Sequence, residues 1–172
     1  MLRVGLEELE RGPVETAARL PADDPLFEGV GFALREPVVV SGELTAAGPE
    51  SYFWRGRLET SVEGTCRRCL APVVRPVEAS VDILFSQDDG DDDPSVYQIP
   101  PDSQALDLSP AVREELILAA PDYLLCRENC RGLCPRCGKD LNDGPCDCAP
   151  TAPDPRWAGL AALKAKLDGR DA

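Results

Sequence analysis

Six of the chain's eight cysteines fall in one run, Cys126-Arg-Glu-Asn-Cys130-Arg-Gly-Leu-Cys134-Pro-Arg-Cys137-Gly-Lys-Asp-Leu-Asn-Asp-Gly-Pro-Cys146-Asp-Cys148. A stretch so short and so poor in apolar side chains cannot bury a core, so its shape must come from cross-links. The remaining two, Cys66 and Cys69, form a C-x2-C pair far upstream. Eight thiols are the complement of two tetrahedral metal sites, and a C-x2-C turn lets two thiolates reach one ion about 2.3 Å away. In Cys134-Pro-Arg-Cys137-Gly138 the proline stiffens the turn and the glycine accepts the positive φ that turns backbone amides toward sulfur.

The sequence contains no histidine, so each site must be all-cysteine. That donor set suits zinc, with an iron–sulfur cluster as the alternative, and not magnesium, calcium or copper(II). Disulfides would need an oxidising compartment, whereas Met1-Leu-Arg-Val-Gly-Leu-Glu-Glu-Leu-Glu has no apolar run resembling a signal peptide. A cytoplasmic protein is expected. A redox-active C-x2-C would account for Cys66 and Cys69 and leave six thiols unexplained. The spacing Cys130-x3-Cys134-x2-Cys137 is also that of radical S-adenosylmethionine enzymes, but a complete barrel takes about 250 residues and this chain has 172.

The formal net charge is −13, and eight thiolates against two divalent ions would take it to −17. Such a chain repels phosphate at long range, so any nucleic-acid contact must be local. Local basic character surrounds the thiols: Arg67, Arg68 and Arg75 at the first pair, and Arg127, Arg131, Arg136 and Lys139 in the second cluster. These cations are candidates for RNA or partner contact, or they offset thiolate charge. No apolar stretch approaches the ~20 residues of a membrane span, and no small-molecule substrate is implied.

Read in order, Leu2–Leu6 and Val14–Leu20 are extended, with a helical turn over Leu6–Leu9. From Val38 the pattern alternates with period two: Val38, Val40 and Leu44, then Tyr52, Trp54, Leu58, Val62 and Cys66 on one face, then Val77 to Phe85. Cys66 to Ala71 thus forms the tip of a long antiparallel hairpin. Asp88 to Asp93 is an acidic run without the ligand spacing of a calcium loop. Tyr97 and Ile99 suggest a short strand. Ser109-Pro110 reads as a helix start, with Val112 and Leu116 as its buried stripe and Pro121 as its stop. This helix should deliver Tyr123-Leu-Leu-Cys126 toward the hairpin tip. Chain order then suggests one site of Cys66, Cys69, Cys126 and Cys130 and another of Cys134, Cys137, Cys146 and Cys148, with an exchange of Cys130 and Cys134 left open. After Asp154-Pro155, Trp157, Leu160, Leu163 and Leu167 mark a last helix expected to dock on the body.

The fold class expected is α+β: an antiparallel β-rich body with one amphipathic helix on its sheet (1–121), a small Cys-rich zinc lobe (122–150) and a terminal helix (151–172). The chain resembles the bacterial YceD family, once described as a domain of unknown function, which has plastid relatives. The resemblance rests on Gly64-Thr-Cys66-Arg-Arg-Cys69-Leu70-Ala-Pro72, Asp107-Leu108, Glu114-Glu115-Leu116-Ile117-Leu118-Ala-Ala-Pro121, Cys130-Arg-Gly-Leu-Cys134-Pro-Arg-Cys137-Gly, Asp140-Leu141-Asn142 with Cys146-Asp-Cys148, and Asp154-Pro155-Arg156. It implies a metal-binding protein with a role in accumulation, processing or stability of large-subunit (23S) ribosomal RNA. Family genes often neighbour that of a small zinc-ribbon protein of the large subunit. Some members keep the first C-x2-C and lose most later cysteines, which assigns the first pair to the shared body. The partner so implied is large-subunit RNA or a basic large-subunit ribosomal protein. With no histidine, no phosphate-cradling loop and no Ser or Cys beside a base, a non-enzymatic role is expected; an iron–sulfur or redox-active cysteine protein is the rival. Elemental analysis separates them: two zinc ions per colourless chain are expected, against iron and visible absorbance for the rival.

Overall fold

The computed structural model describes residues 2–87 and 95–148, together with Arg156, 159–160 and 163–164. In chain order the elements are β1 (Arg3–Gly5), α1 (Leu6–Leu9), β2 (Val14–Leu20), a 3-10 turn (Pro25–Phe27), β3 (Ala33–Leu34), β4 (Val38–Gly48), β5 (Ser51–Thr65), β6 (Pro72–Ser86), β7 (Val96–Gln98), β8 (Ala105–Asp107) and α2 (Ser109–Ala119). The chain divides into two compact units, Met1–Cys130 and Arg131–Ala172. All of these elements belong to the first, so Cys126 and Cys130 lie with the sheet.

Period-two alternation produces the main sheet. Its order is β2-β4-β5-β6-β7, with β3 also pairing β5, while β1 and β8 form a separate ribbon. The pairing is antiparallel except for β6 with β7, which is parallel. Strands β5 and β6 stay in register from Ser51↔Ser86 to Thr65↔Pro72, so the turn that holds the first cysteine pair is carried on a two-stranded arm as long as the sheet itself. Trp54, Leu58, Val62 and Cys66 are all buried along one face of β5. Val112 and Leu116 of α2 are fully buried in the same core. The outer face instead carries exposed ion pairs, Arg55 with Asp82 at 3.0 Å and Arg57 with Glu78 at 2.7 Å, of the kind that adds little stability.

The start of α2 differs from the sequence expectation. Ser109 is already helical and Leu108 is the N-cap; the side chain of Asp107 accepts from the Ser109 amide at 2.8 Å. An acidic side chain one residue earlier supplies the capping acceptor that Ser109 would otherwise offer. The acidic run 88–94 lies outside the described residues, as do Trp157 and Leu167 of the last apolar stripe. Leu160 and Leu163 are helical and about half exposed, at 51% and 53%.

One packing detail sets how the sheet closes over its core. The indole of Trp54 is fully buried and donates from Nε1 to Thr16 Oγ1 at 2.9 Å. To reach β2 it crosses the paired residues Gly42 and Gly56. A Cβ at Gly56 would come within 2.5 Å of the ring, and one at Gly42 within 2.5 Å of the Arg55 carbonyl. Both glycines are therefore steric requirements of the tryptophan. Gly56→Ala should cost about 1–3 kcal/mol by overpacking, whereas Gly48→Ala, with open space at its Cβ, should change stability far less. Chemical denaturation of the two variants measures the difference.

Candidate metal centres

The two C-x2-C turns are the same local structure built twice. In the first, the Cys66 amide donates to the Ala71 carbonyl at 2.7 Å and the Leu70 amide to the Cys66 carbonyl at 2.9 Å. In the second, the Cys134 amide donates to the Lys139 carbonyl and the Gly138 amide to the Cys134 carbonyl, both at 2.9 Å. The residue after the second cysteine takes a left-handed φ in each, +62° at Leu70 and +73° at Gly138. Glycine adopts that conformation freely, and leucine pays of order 1 kcal/mol for it.

Each turn meets two further cysteines. Cys66, Cys69, Cys126 and Cys130 hold their sulfurs within 4.8 Å of one another, and so do Cys134, Cys137, Cys146 and Cys148. Sulfurs stand 3.8 Å apart in Cys66–Cys130, 3.6 Å in Cys69–Cys126 and 3.4 Å in Cys134–Cys146. No two of the eight cysteines are joined in a disulfide. Four sulfurs about 2.3 Å from a shared centre stand roughly 3.8 Å apart at tetrahedral angles, whereas a disulfide needs about 2.05 Å. Each group can thus hold a metal ion. Burial differs between them: Cys66, Cys69 and Cys130 are buried, but in the second group Cys137 is exposed and only Cys134 is buried.

Two arginines fasten the first group. Arg68 Nη1 donates to the carbonyls of Glu128 at 3.0 Å and Cys130 at 2.9 Å. Arg75 Nη2 donates to those of Leu125 at 2.6 Å and Cys126 at 2.7 Å. The Arg67 amide bonds the Leu124 carbonyl at 2.8 Å, and Gly64 leaves room for the Leu124 side chain, which would lie 2.9 Å from a Cβ there. The hairpin therefore grips the segment that brings Cys126 and Cys130. The second group is self-contained. A short antiparallel bridge joins Leu133 to Asp140, Asn142 Oδ1 accepts from the Arg131 amide at 2.8 Å, and Lys139 Nζ donates to the Pro145 carbonyl at 2.8 Å.

The cationic candidates thus separate by role. Arg68 and Lys139 are bonded to backbone carbonyls, Arg67 stacks over the Tyr123 ring at 4.9 Å, and Arg127, Arg131 and Arg136 are exposed. Arg75, at the first pair, proves to be a fastener, a role visible only when Leu125 and Cys126 are brought beside β6. Leu70 carried a signal in the sequence that was open to reading, since it stands where the other turn has glycine.

Electrostatics favour a cation in both groups. Backbone N–H groups of Cys126 and Cys69 pull the Cys66 thiol down to about 6. Amides of Cys137 and Arg136 do the same for Cys134, also to about 6. Burial, then neighbouring sulfurs, push Cys126 up to about 12, while Cys137 above all pushes Cys148 up to about 12. Cys66 and Cys134 are ready as thiolates at neutral pH, and ionising Cys126 and Cys148 beside them requires positive charge at the centre. Because Cys66 and Cys134 are depressed, their thiolates are present above about 6 and protonate as the pH falls through it.

Residues 54–164 match a family described as large ribosomal RNA subunit accumulation protein YceD. An uncharacterized protein of Mycobacterium tuberculosis is 31% identical over 117 residues, covering 66% of this chain and 56% of its own. A maize protein named large ribosomal RNA subunit accumulation protein YCED homolog 1, chloroplastic, is 25% identical over 200 residues, covering 94% of this chain and 64% of its own. Its Arabidopsis thaliana namesake is 28% identical over 72 residues, 42% of this chain and 22% of its own. The chain spans little more than half the length of the mycobacterial relative. No solved structure matches it.

Cys134→Ser should remove one metal ion per chain and the hydrogen-exchange protection of 131–148 while β5 and β6 keep theirs. Metal release, followed with a chromophoric chelator, should rise on acidification, because protons compete with the ion for the thiolates. Release that never increases as the solution is acidified would contradict thiolate ligation.

Proposed function

This chain belongs to the YceD family of large ribosomal RNA subunit accumulation proteins, and from that membership we propose that it is a zinc-binding, non-enzymatic accessory factor for large-subunit (23S) ribosomal RNA. It acts in the cytoplasm on accumulation, processing or stability of that RNA during assembly of the large subunit, by binding the RNA or a ribosomal protein. The observation that carries this reading is the presence of two four-sulfur groups in a chain matched by the family from 54 to 164. The maize relative is named for accumulation of the large ribosomal RNA subunit, and the same RNA is proposed as the target here.

Zinc suits the donor set best. It takes four thiolates tetrahedrally and brings no redox chemistry. Sulfurs within 4.8 Å of one another fit a single ion; an iron–sulfur cluster interposes several irons and sulfides and spreads its cysteines farther. Cys66, Cys69, Cys126 and Cys130 would then tie the segment after α2 to the hairpin, and Cys134, Cys137, Cys146 and Cys148 would give the second unit its form.

The Tyr97 phenol is raised by burial and by Glu114, to whose carboxylate it donates. At neutral pH it is a protonated donor and not a base. Among the described residues no helix is long and apolar enough to cross a membrane.

Deleting the gene and restoring it in trans tests the proposal. Wild-type chain should return mature 23S RNA to its normal ratio to 16S RNA, and a chain lacking both Cys66 and Cys134 should not. Normal 23S levels in the deletion strain would refute it.

A further inference from the structure

We propose that the second sulfur group, Cys134, Cys137, Cys146 and Cys148, is a peroxide-operated switch: two-electron oxidation of its thiolates to a disulfide releases the zinc ion and unmakes the ribbon 131–148, while the first group keeps its own ion. The switch depends on zinc as the resident ion and on no other part of the accessory-factor reading.

Access separates the two groups. Cys66, Cys69 and Cys130 are buried and Cys126 is half-buried, so the first group has no exposed cysteine. In the second, Cys137 is exposed, Cys146 and Cys148 are half-buried, and only Cys134 is buried; the Arg136 amide also donates to the Cys134 sulfur at 3.5 Å. A peroxide must meet the sulfur whose electron pair it takes, and reactive cysteines are those that are accessible and set among cations. Cys137 meets both conditions, because Arg136 and Lys139 stand on either side of it in the turn and are exposed with it.

Support separates them as well. A disulfide needs sulfurs about 2.05 Å apart. In the first group Cys66 and Cys130, at 3.8 Å, lie on segments that Arg68 and Arg75 fasten together through four backbone carbonyls, and drawing those sulfurs into a bond works against that grip. In the second group Cys134 and Cys146 stand at 3.4 Å, and all four sulfurs lie within 4.8 Å of one another. The chain between them is held by local contacts such as the Leu133–Asp140 bridge. It can close a disulfide without disturbing the sheet, which belongs to the other unit.

The oxidant is a peroxide. The Cys137 thiolate attacks one peroxide oxygen; the S–O bond forms, the O–O bond breaks and hydroxide leaves, giving a sulfenic acid. A neighbouring thiolate of the same group then attacks that sulfur; the S–S bond forms, the S–O bond breaks and a second hydroxide leaves. Two protons from solvent turn the hydroxides into water. The sulfurs give up two electrons, the peroxide oxygens gain them, and zinc keeps its oxidation state. Disulfide formation removes two of the four ligands, so the group no longer holds its ion and the ribbon loses the cross-link that shapes it.

The full-length, zinc-loaded chain is treated with hydrogen peroxide beside a chromophoric chelator, quenched by alkylation at intervals and mapped by peptide mass spectrometry. Zinc should leave in two phases, the first about tenfold or more faster than the second. In the fast phase disulfides should join members of Cys134, Cys137, Cys146 and Cys148, with Cys66, Cys69, Cys126 and Cys130 recovered unoxidised. Hydrogen exchange should speed up over 131–148 and stay slow in β5 and β6, and dithiothreitol with added zinc should reverse both changes. Cys134→Ser, which leaves the first group intact, should show the slow phase alone. Fast release persisting in Cys134→Ser, or oxidation that begins in the first group, would overturn the switch. A loaded chain that empties both groups in a single phase would leave zinc in place and sink the switch alone, while a chain that purifies without zinc would remove the zinc reading and the switch with it.

Discussion

The seating of Cys126 and Cys130 against the hairpin tip is the contact on which the rest of the first unit's chemistry depends. Two sulfurs from the turn between β5 and β6 meet two from a segment nearly sixty residues later, within 4.8 Å of one another. Four sulfurs at that spacing repel as thiolates and gain little as thiols, so the arrangement is held by its surroundings. The β5–β6 register supplies one half as a rigid arm. Arg68 and Arg75 supply the other by bonding the carbonyls of Leu125, Cys126, Glu128 and Cys130. Guanidinium forks suit this task because one planar group can bond two successive carbonyls.

The two sulfur groups share a turn and differ in support. The first, with three of its four cysteines buried, is gripped by the sheet, whereas the second, in the other unit, is held by local contacts that include a short bridge, an asparagine and a lysine. A site gripped by folded structure is organised before an ion arrives, and a self-contained ribbon gains its order from the ion. The shared pattern of amides around Cys66 and Cys134 nevertheless leaves one sulfur in each group ready to bind first.

Basic residues beside zinc-type turns invite a nucleic-acid interpretation, and the structure redistributes them. Arg68, Arg75 and Lys139 hold carbonyls, and the arginines of the outer sheet face pair with carboxylates on the neighbouring strand. At the hairpin end Arg67 stacks on the Tyr123 ring, and Tyr123 lines a hollow that also takes in Glu63 and Asp122.

By itself the sequence determined the local order. Alternation from Val38 to Phe85 specified the strands and put Cys66 in phase with the core, the Val112 and Leu116 spacing specified the face of α2, and eight thiols without histidine specified all-sulfur sites. These are properties of period and composition, which act over a few residues. Only the tertiary structure decided which cysteines meet, since Cys130 and Cys134 are separated by one turn of chain and either fits the spacing. It also decided that Arg75 and Arg68 are fasteners, that Leu108 and not Ser109 is the N-cap of α2, with Asp107 accepting from the Ser109 amide, and that Trp54 needs Gly42 and Gly56 to reach Thr16. Each of these depends on residues distant in sequence being brought within a few ångströms, and no local pattern records a distance that packing alone sets.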